Sequence, residues 1–464
     1  MHFALRDYQR DIVRFLTSHK KAYLGAFMGS GKTVSTLTAL DALHLVDDVY
    51  PALIIAPLKV AVGTWPNEVK KFPWLNHIRV SNVAAGSGAL ARAEALKTAA
   101  DIYTINYENI PWLVEELGGK WPFKTVICDE ASKLKGFRTR QGTLRARMLS
   151  KVIFRSRRIF LLSGTPCSNG LQDLWGQYYF LDMGRRLFST YSEFKMRWFY
   201  EDPESGVMTV RDSNCEIEIR NRIRDITLAV DPGDYMKVRE PIKTIVDVEL
   251  PAGVMQQYRD MESQFLLELS EETTIDAVAA ASKSQKLLQI ASGAVYDAGD
   301  DEGKNKQWHD LHDAKLDALE QIVEEAGGEP ILVSYVYKFD LEKLQKRFPK
   351  AVALSNKPNI IERWNAGKIP MLLAHPKSAG HGINLQDGGR ILVYYSSDWD
   401  LDGYDQIGQR LGSIRQAQSG HERTVYIYHL VAKGTIDATV LRRLTTKASI
   451  QAVLLEDMKA KGFK

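Results

Sequence analysis

Residues 25–33 read Gly-Ala-Phe-Met-Gly-Ser-Gly-Lys-Thr, which joins small, flexible residues to one lysine and one hydroxyl. Gly29, Ser30 and Gly31 let backbone N–H groups turn towards a polyphosphate. Lys32 adds a compact positive charge for the outer phosphates, and the Thr33 hydroxyl can reach Mg²⁺. One departure from the G-x-x-x-x-G-K-[ST] pattern is Ala26, which stands where the first glycine belongs. A chance Gly-Lys-Thr in an ordinary turn is the plainer reading, and the flanking residues argue against it. An apolar run from Ala22 to Met28 precedes the loop, and Leu37, Leu40 and Leu43 follow at helical spacing. The loop therefore opens a helix, whose dipole and free N–H groups favour an anion.

A second group of chemical residues ends the stretch Thr125-Val-Ile-Cys-Asp-Glu-Ala-Ser132. A short strand finishing in two carboxylates places Asp129 to hold Mg²⁺ through water and Glu130 to orient and deprotonate an attacking water. Taken alone, the pair is equally well read as a solvated strand end. Paired with Lys32, it becomes the second half of a phosphate-cleaving site.

These groups need a scaffold of alternating strands and helices. Apolar runs at 52–57, 101–106, 124–129 and 158–163 imply one mostly parallel sheet, and runs at 330–335, 371–375, 390–396 and 424–431 imply another. Ligands of such sheets bind at the carboxyl ends of the strands. Residues 184 to about 310 read as neither sheet. Leu250 to Leu269 and Ala277 to Ile290 have helical patterns, and Asp300 to Asn305 reads as a solvated loop. Phe194 to Tyr200 interleaves basic and aromatic residues, which suits either a grip on a nucleic-acid backbone or, more plainly, an amphipathic helix burying its rings. His309, Asp310, His312 and Asp313 superficially resemble a metal cluster, but no further ligands stand at zinc-like spacing. A capped start for a helix from Ala314 is the better reading.

Composition agrees without adding much. The 464 residues are 45% hydrophobic and 25% charged, with a net charge of +4, a mild basic excess compatible with nucleic acid. Cys128, Cys167 and Cys215 form no C-x-x-C pair, so neither zinc nor disulfides are expected and a reducing cytoplasm is. No apolar run of membrane-spanning length and no signal peptide is evident.

The order of the motifs carries a resemblance. Leu5-Arg-Asp-Tyr-Gln9, the phosphate loop, Leu53-Ile-Ile-Ala-Pro57, Asp129-Glu-Ala-Ser132, Leu162-Ser-Gly-Thr-Pro166, Ser378-Ala-Gly-His-Gly-Ile-Asn-Leu385 and the segment Gln406 to Gln418 stand in the order of superfamily 2 helicase motors. Trp65 with Glu68, Lys133-Leu134-Lys135 and the run from Ser163 to Trp175 make the chain similar to the Swi/Snf-like ATPases, compact phage-encoded ones in particular. The resemblance spans residues 4 to about 447. It implies an α/β fold of two RecA-like parallel-sheet lobes with helical insertions between them and a C-terminal helical brace. The expected divisions are 1–183, 184–310, 311–432 and 433–464. A free terminal helix for a partner is the other reading of the last segment, which starts at Thr435-Ile-Asp437.

By the same resemblance, Gln9 pairs with an adenine edge, and Gly382 and Asn384 approach the nucleotide from the second lobe. Thr165 couples the ATP site to the nucleic-acid track. Lys59, Asn106, Tyr107, Ser334 and Lys338 join Thr165 as candidate backbone contacts, with a surface position of no ligand role the equal alternative for each. Arg410 serves turnover, but the second arginine of its motif is displaced: Ser413 stands at the expected place and Arg415 follows two residues later. Residues three apart on a helix lie roughly 60° apart around it, and residues five apart roughly 140°. Arg410 and Arg415 therefore act together only if Gly412-Ser413 breaks the helix. The implied activity is DNA-dependent ATP hydrolysis with Mg²⁺, driving translocation along duplex DNA. A strand-separating or branch-migrating helicase at forks or R-loops and a weakly hydrolysing, nucleotide-gated clamp are the alternatives. A monomer working on duplex or branched DNA in the cytoplasm (the host's, if phage-encoded) is expected, with no protein partner legible.

Overall fold

In the computed structural model the chain divides into two units, residues 1–200 with 208–236 and residues 201–207 with 237–464. It describes residues 4–27, 29–164, 170–201, 208–230, 235, 238–270, 284–297, 307–355, 359–378 and 383–446. Thr165, Cys167, Gly382, the stretch 277–283, the loop 300–305 and everything beyond 446 lie outside the described residues.

The first unit is built on strands β1 (Lys21–Ala26), β2 (Ala52–Ala56), β3 (Val80–Asn82), β4 (Ile102–Asn106), β5 (Thr125–Asp129) and β6 (Arg158–Ser163). Phe199–Glu201 (β7) and Met208–Val210 (β8) form a separate two-stranded ribbon, and Thr227–Val230 (β9) returns to the large sheet. The sheet order is β3-β4-β2-β5-β6-β1-β9, parallel throughout. Its strands read as unbroken apolar runs because both faces are buried. Leu53, Ile55, Val126, Cys128, Ile159 and Leu161 enter one core, while Ile54, Ile127, Phe160 and Leu162 enter the opposite one. Helix α1 (Asp7–Ser18) and helix α2 (Lys32–His44) close the second of these with Ile12, Leu16, Leu37, Leu40 and Leu43. β6 alone separates β1 from β5, so the carboxyl ends carrying the phosphate loop and the acidic pair are roughly 10 Å apart.

The second unit carries β10 (Ile242–Val248), the antiparallel pair β11 (Ala294–Tyr296) and β12 (Trp308–Asp310), then β13 (Ile331–Ser334), β14 (Val352–Ala353), β15 (Met371–Ala374), β16 (Ile391–Tyr394) and β17 (Tyr426–Ala432). Its large sheet runs β10-β17-β16-β13-β15-β14, again all parallel. The stretch 184–310 thus gives an edge strand to each sheet, β9 to one and β10 to the other, which corrects the reading that it belongs to neither. β10 escapes sequence pattern because it is an edge: Ile242 and Ile245 stay exposed, so no buried alternation marks it.

The basic and aromatic stretch from Phe194 is the end of a helix, Tyr191–Trp198, started by a Thr190–Glu193 capping box. Phe194, Trp198 and Phe199 are buried and Arg197 pairs with Glu218 at 3.1 Å, so the stretch is an amphipathic helix burying its rings. The helix Ala314–Glu325 begins where the spacing predicts, but the carboxylate of its N-cap residue Asp313 goes to Lys343 Nζ at 2.9 Å instead of capping. His312 is buried against the Ile290 carbonyl at 2.9 Å, and His309 pairs with Asp297 at 2.6 Å. No group of three metal-ligating residues occurs among the described residues.

The terminal helix Ile436–Thr446 packs Ile436, Val440 and Leu444 against Tyr258, Phe265, Leu287 and Leu288 of the helices Ala252–Ser270 and Gln285–Ser292. Tyr258 Oη accepts the Ile436 N–H at 2.7 Å, and Asp437 accepts from Lys315 Nζ at 2.6 Å with both side chains buried. Removing Lys315 alone leaves a buried carboxylate without its cation. Lys315→Met is therefore expected to cost about 3–5 kcal/mol, read as a lower urea midpoint, and Lys315→Met with Asp437→Leu should recover most of it. An unchanged midpoint in the single variant would contradict this account of the brace.

Candidate functional site

β1 ends at Ala26 and α2 starts at Lys32, so the phosphate loop occupies the turn between a parallel strand and the helix that follows it. Gly29 and Gly31 both have left-handed backbone, with φ of 83° and 79°. At Gly31 the reason for glycine is twofold, because a Cβ there would also lie 2.2 Å from Gln9 Nε2. Gln9 is held on both sides: its Oε1 accepts the Arg6 N–H at 2.9 Å and its Nε2 donates to the Ser30 carbonyl at 2.9 Å. α1 is thereby tied to the loop. Lys32 Nζ folds back over the loop, donating to the carbonyls of Ala26 at 2.7 Å and Phe27 at 3.2 Å. Thr33 stands in the first turn of α2, and the buried Ser30 hydroxyl has no hydrogen-bond partner. A glycine-lined cradle, a lysine poised above it and a buried hydroxyl awaiting an acceptor fit a polyphosphate.

The acidic pair terminates β5. Asp129 Oδ2 accepts from the indole N–H of Trp65 at 2.9 Å, and Trp65 is itself buried. Glu130 takes φ 62° and ψ 58°, a left-handed conformation that costs a non-glycine residue roughly 1 kcal/mol or more. Its Oε1 accepts from the Ser132 hydroxyl at 2.6 Å. Tyr107 underpins both acids, donating its hydroxyl to the carbonyls of Asp129 at 3.0 Å and Glu130 at 3.3 Å. Burial, and then the nearby Cys128, Asp129 and Glu130, push this phenol well above its ordinary range, so it stays a neutral donor. The backbone-contact expectation for Tyr107 gives way to this inward role. Asn106 is buried as well, with its amide between Glu108 at 2.9 Å and Asn109 at 2.6 Å. Lys59 is exposed, just before the π-helical turn Val60–Thr64 that leads into helix α3 (Trp65–Lys71).

The geometry so far is a strand, a glycine loop with lysine, and a carboxylate pair on a nearby parallel strand. A family model described as the SNF2-related domain matches residues 8–287, three-fifths of the chain and the whole of this site. The chain belongs to the SNF2-related family. With that family it takes its place among the helicase-fold ATPases of superfamily 2. A putative protein p41 of Acyrthosiphon pisum secondary endosymbiont phage 1 is 47% identical over 465 residues, covering 99% of this chain and 99% of its own. The RAD54-like DNA repair and recombination protein of Gallus gallus is 24% identical, covering 98% of this chain and 68% of its own. The solved Sulfolobus solfataricus SWI2/SNF2 ATPase core in complex with dsDNA aligns over 99% of this chain and 94% of its own, at 22% identity and a TM-score of 0.44. No helix among the described residues of this SNF2-related chain is long and apolar enough to cross a membrane.

The second unit of this family member carries the other residues that the motifs single out. Gly412 ends one helix, Leu401–Leu411, and precedes another, Ser413–Gln418, at φ −53° and ψ 161°. This break redirects the chain. Arg410, buried to 1% exposure, donates to the Ile383 carbonyl at 3.5 Å, while Arg415 bonds the side-chain oxygen of the adjacent Asn384. Two arginines five residues apart thus converge on neighbouring residues. Gln416, which the motif reading passed over, fixes the turn by donating to the carbonyls of Leu411, Gln386 and Gly389 at 3.0, 3.0 and 2.9 Å. Ser334 ends β13 with its hydroxyl buried and lacking a partner, and Lys338 is exposed at the start of the helix Lys338–Arg347. Thr165 and Gly382, expected in coupling and nucleotide contact, fall outside the described residues.

Proposed function

We propose that the protein is an ATP-dependent DNA translocase of the Swi/Snf-like type, moving along duplex DNA as it hydrolyses ATP. The observation that carries this reading is the phosphate loop and the acidic pair at the carboxyl ends of β1 and β5 in a chain of the SNF2-related family. A relative named for DNA repair and recombination that matches 98% of this chain supports DNA as the track. In this reading Gly29, Ser30, Gly31 and Lys32 hold the phosphates, Gln9 reads the adenine, and Gly382 and Asn384 contact the nucleotide from the second unit. Thr33 and Asp129 hold Mg²⁺, which neutralises phosphate charge when bound. Glu130 orients and deprotonates the attacking water, and Arg410 and Arg415 stabilise the charge that develops. Lys59 and Lys338, exposed cations, contact DNA phosphates, and Thr165 couples the track to hydrolysis. Asn106 and Ser334, both buried, are kept from contacting the DNA backbone directly.

DNA is expected to stimulate ATP turnover, with duplex at least as effective as single strands. Binding should weaken steeply with salt, because phosphate contacts release counterions. An ATPase assay with duplex, single-stranded and forked DNA and with RNA checks the track, and stimulation by RNA alone would refute the proposal. Displacement of a triplex strand without unwinding of a forked duplex separates a translocase from a helicase.

A further inference from the structure

We infer that Trp65 is a positioning residue for Asp129, and that its indole N–H sets how well the chain binds Mg²⁺ with nucleotide. The inference rests on the ATPase reading of Asp129. An indole nitrogen donates and never accepts, so its bond to Oδ2 at 2.9 Å requires an acceptor oxygen there. Trp65 is 1% exposed, packed in the apolar core that also holds Ile54, Val60, Val69 and Ile127, so the ring has no freedom to leave. The donor sits at the first residue of α3, on a chain segment 64 residues before its acceptor. A hydrogen bond from a buried, immobile donor fixes the rotamer of the carboxylate. Tyr107 fixes the same residue from the other side, through the Asp129 carbonyl at 3.0 Å. Side chain and main chain of Asp129 are therefore set by two buried donors, one opening α3 and one just past the end of β4. Partners of this kind around a metal-bound carboxylate orient it and tune its affinity.

Trp65→Phe keeps the ring and removes the donor. Replacing Trp65 by benzothienylalanine, which carries sulfur in place of the N–H, keeps the shape still more closely. Both are to be read by fluorescent-nucleotide binding titrated with Mg²⁺, and by binding without Mg²⁺. Loss of one such bond predicts a half-saturating Mg²⁺ concentration raised about ten- to a hundredfold in both variants, with Mg²⁺-free nucleotide binding unchanged. Indole ¹⁵N–H spectra add a readout in the native chain: the one resonance absent from the variants should move when Mg²⁺ and nucleotide bind. Unaltered Mg²⁺ dependence in both variants overturns the inference, as does a parallel loss of Mg²⁺-free binding, which marks a merely structural tryptophan. Asp129→Asn tells the two levels apart. If it leaves Mg²⁺-dependent binding intact, the assignment of Asp129 itself is wrong. If it abolishes that binding while the Trp65 variants behave as wild type, only the role of Trp65 is wrong.

Discussion

Glu130→Gln will bind ATP and leave it uncleaved, whereas Lys32→Ala will lose cleavage by losing the nucleotide. The two differ because the side chains stand on different parts of the chain. Lys32 is the cation of the loop, and its ammonium rests on the carbonyls of Ala26 and Phe27, close to where the outer phosphates belong. Without it the cradle keeps its glycines but not its charge, so affinity should fall together with rate. Glu130 lies beyond the strand end, in a strained left-handed conformation pinned by Tyr107 and Ser132. Strain of this kind persists only where the surroundings over-determine it. The glutamine variant keeps the shape and an acceptor oxygen but cannot take a proton. General-base removal generally costs about 10²–10⁴ in rate. Single-turnover cleavage and equilibrium binding of the same nucleotide separate the two defects. Near-wild-type turnover in either variant would remove the assignment.

How much of this was legible beforehand follows from burial and from sequence distance. The central strands were legible because helices cover both faces of each sheet and demand unbroken apolar runs, as in β2, β5 and β6. β9 and β10 were not, since an edge strand has fewer neighbours to satisfy and β10 leaves Ile242 and Ile245 in solvent. The glycines and lysine of the loop were legible because a phosphate cradle needs those residue types at fixed spacing. Tyr107 is ambiguous in the sequence because an aromatic just past a strand end can turn outwards or inwards, and the fold turns it inwards. Trp65 was visible as a motif residue, yet its bond to Asp129 crosses 64 positions and leaves no local periodicity.

Arg410→Ala is expected to abolish hydrolysis, and Arg415→Ala to reduce it strongly. On one continuous helix these side chains would diverge by roughly 140°. Gly412 breaks the helix, and Gln416 holds the break through three carbonyls, so both guanidinium groups come to Ile383 and Asn384. Arg410 approaches from the buried side, and Arg415 meets an exposed asparagine. Burial lowers Arg415 below its ordinary range. A cation so placed is available to charge that appears only during the reaction, and Ser413 at the usual position offers none. An arginine acting on a transferring phosphoryl group is worth roughly 10³–10⁵ in rate. Arg410→Ala should therefore be silent within most assays, with nucleotide binding largely kept. Arg415→Ala should fall between it and the wild type, and Ser413→Arg should raise turnover in the Arg415→Ala background. DNA-stimulated ATP hydrolysis under saturating nucleotide measures all three. If Arg415→Ala turns over normally, the displaced arginine has no part in the chemistry. Ser413 then becomes an argument for the weakly hydrolysing clamp, since the motif would be short of one cation with nothing in its place.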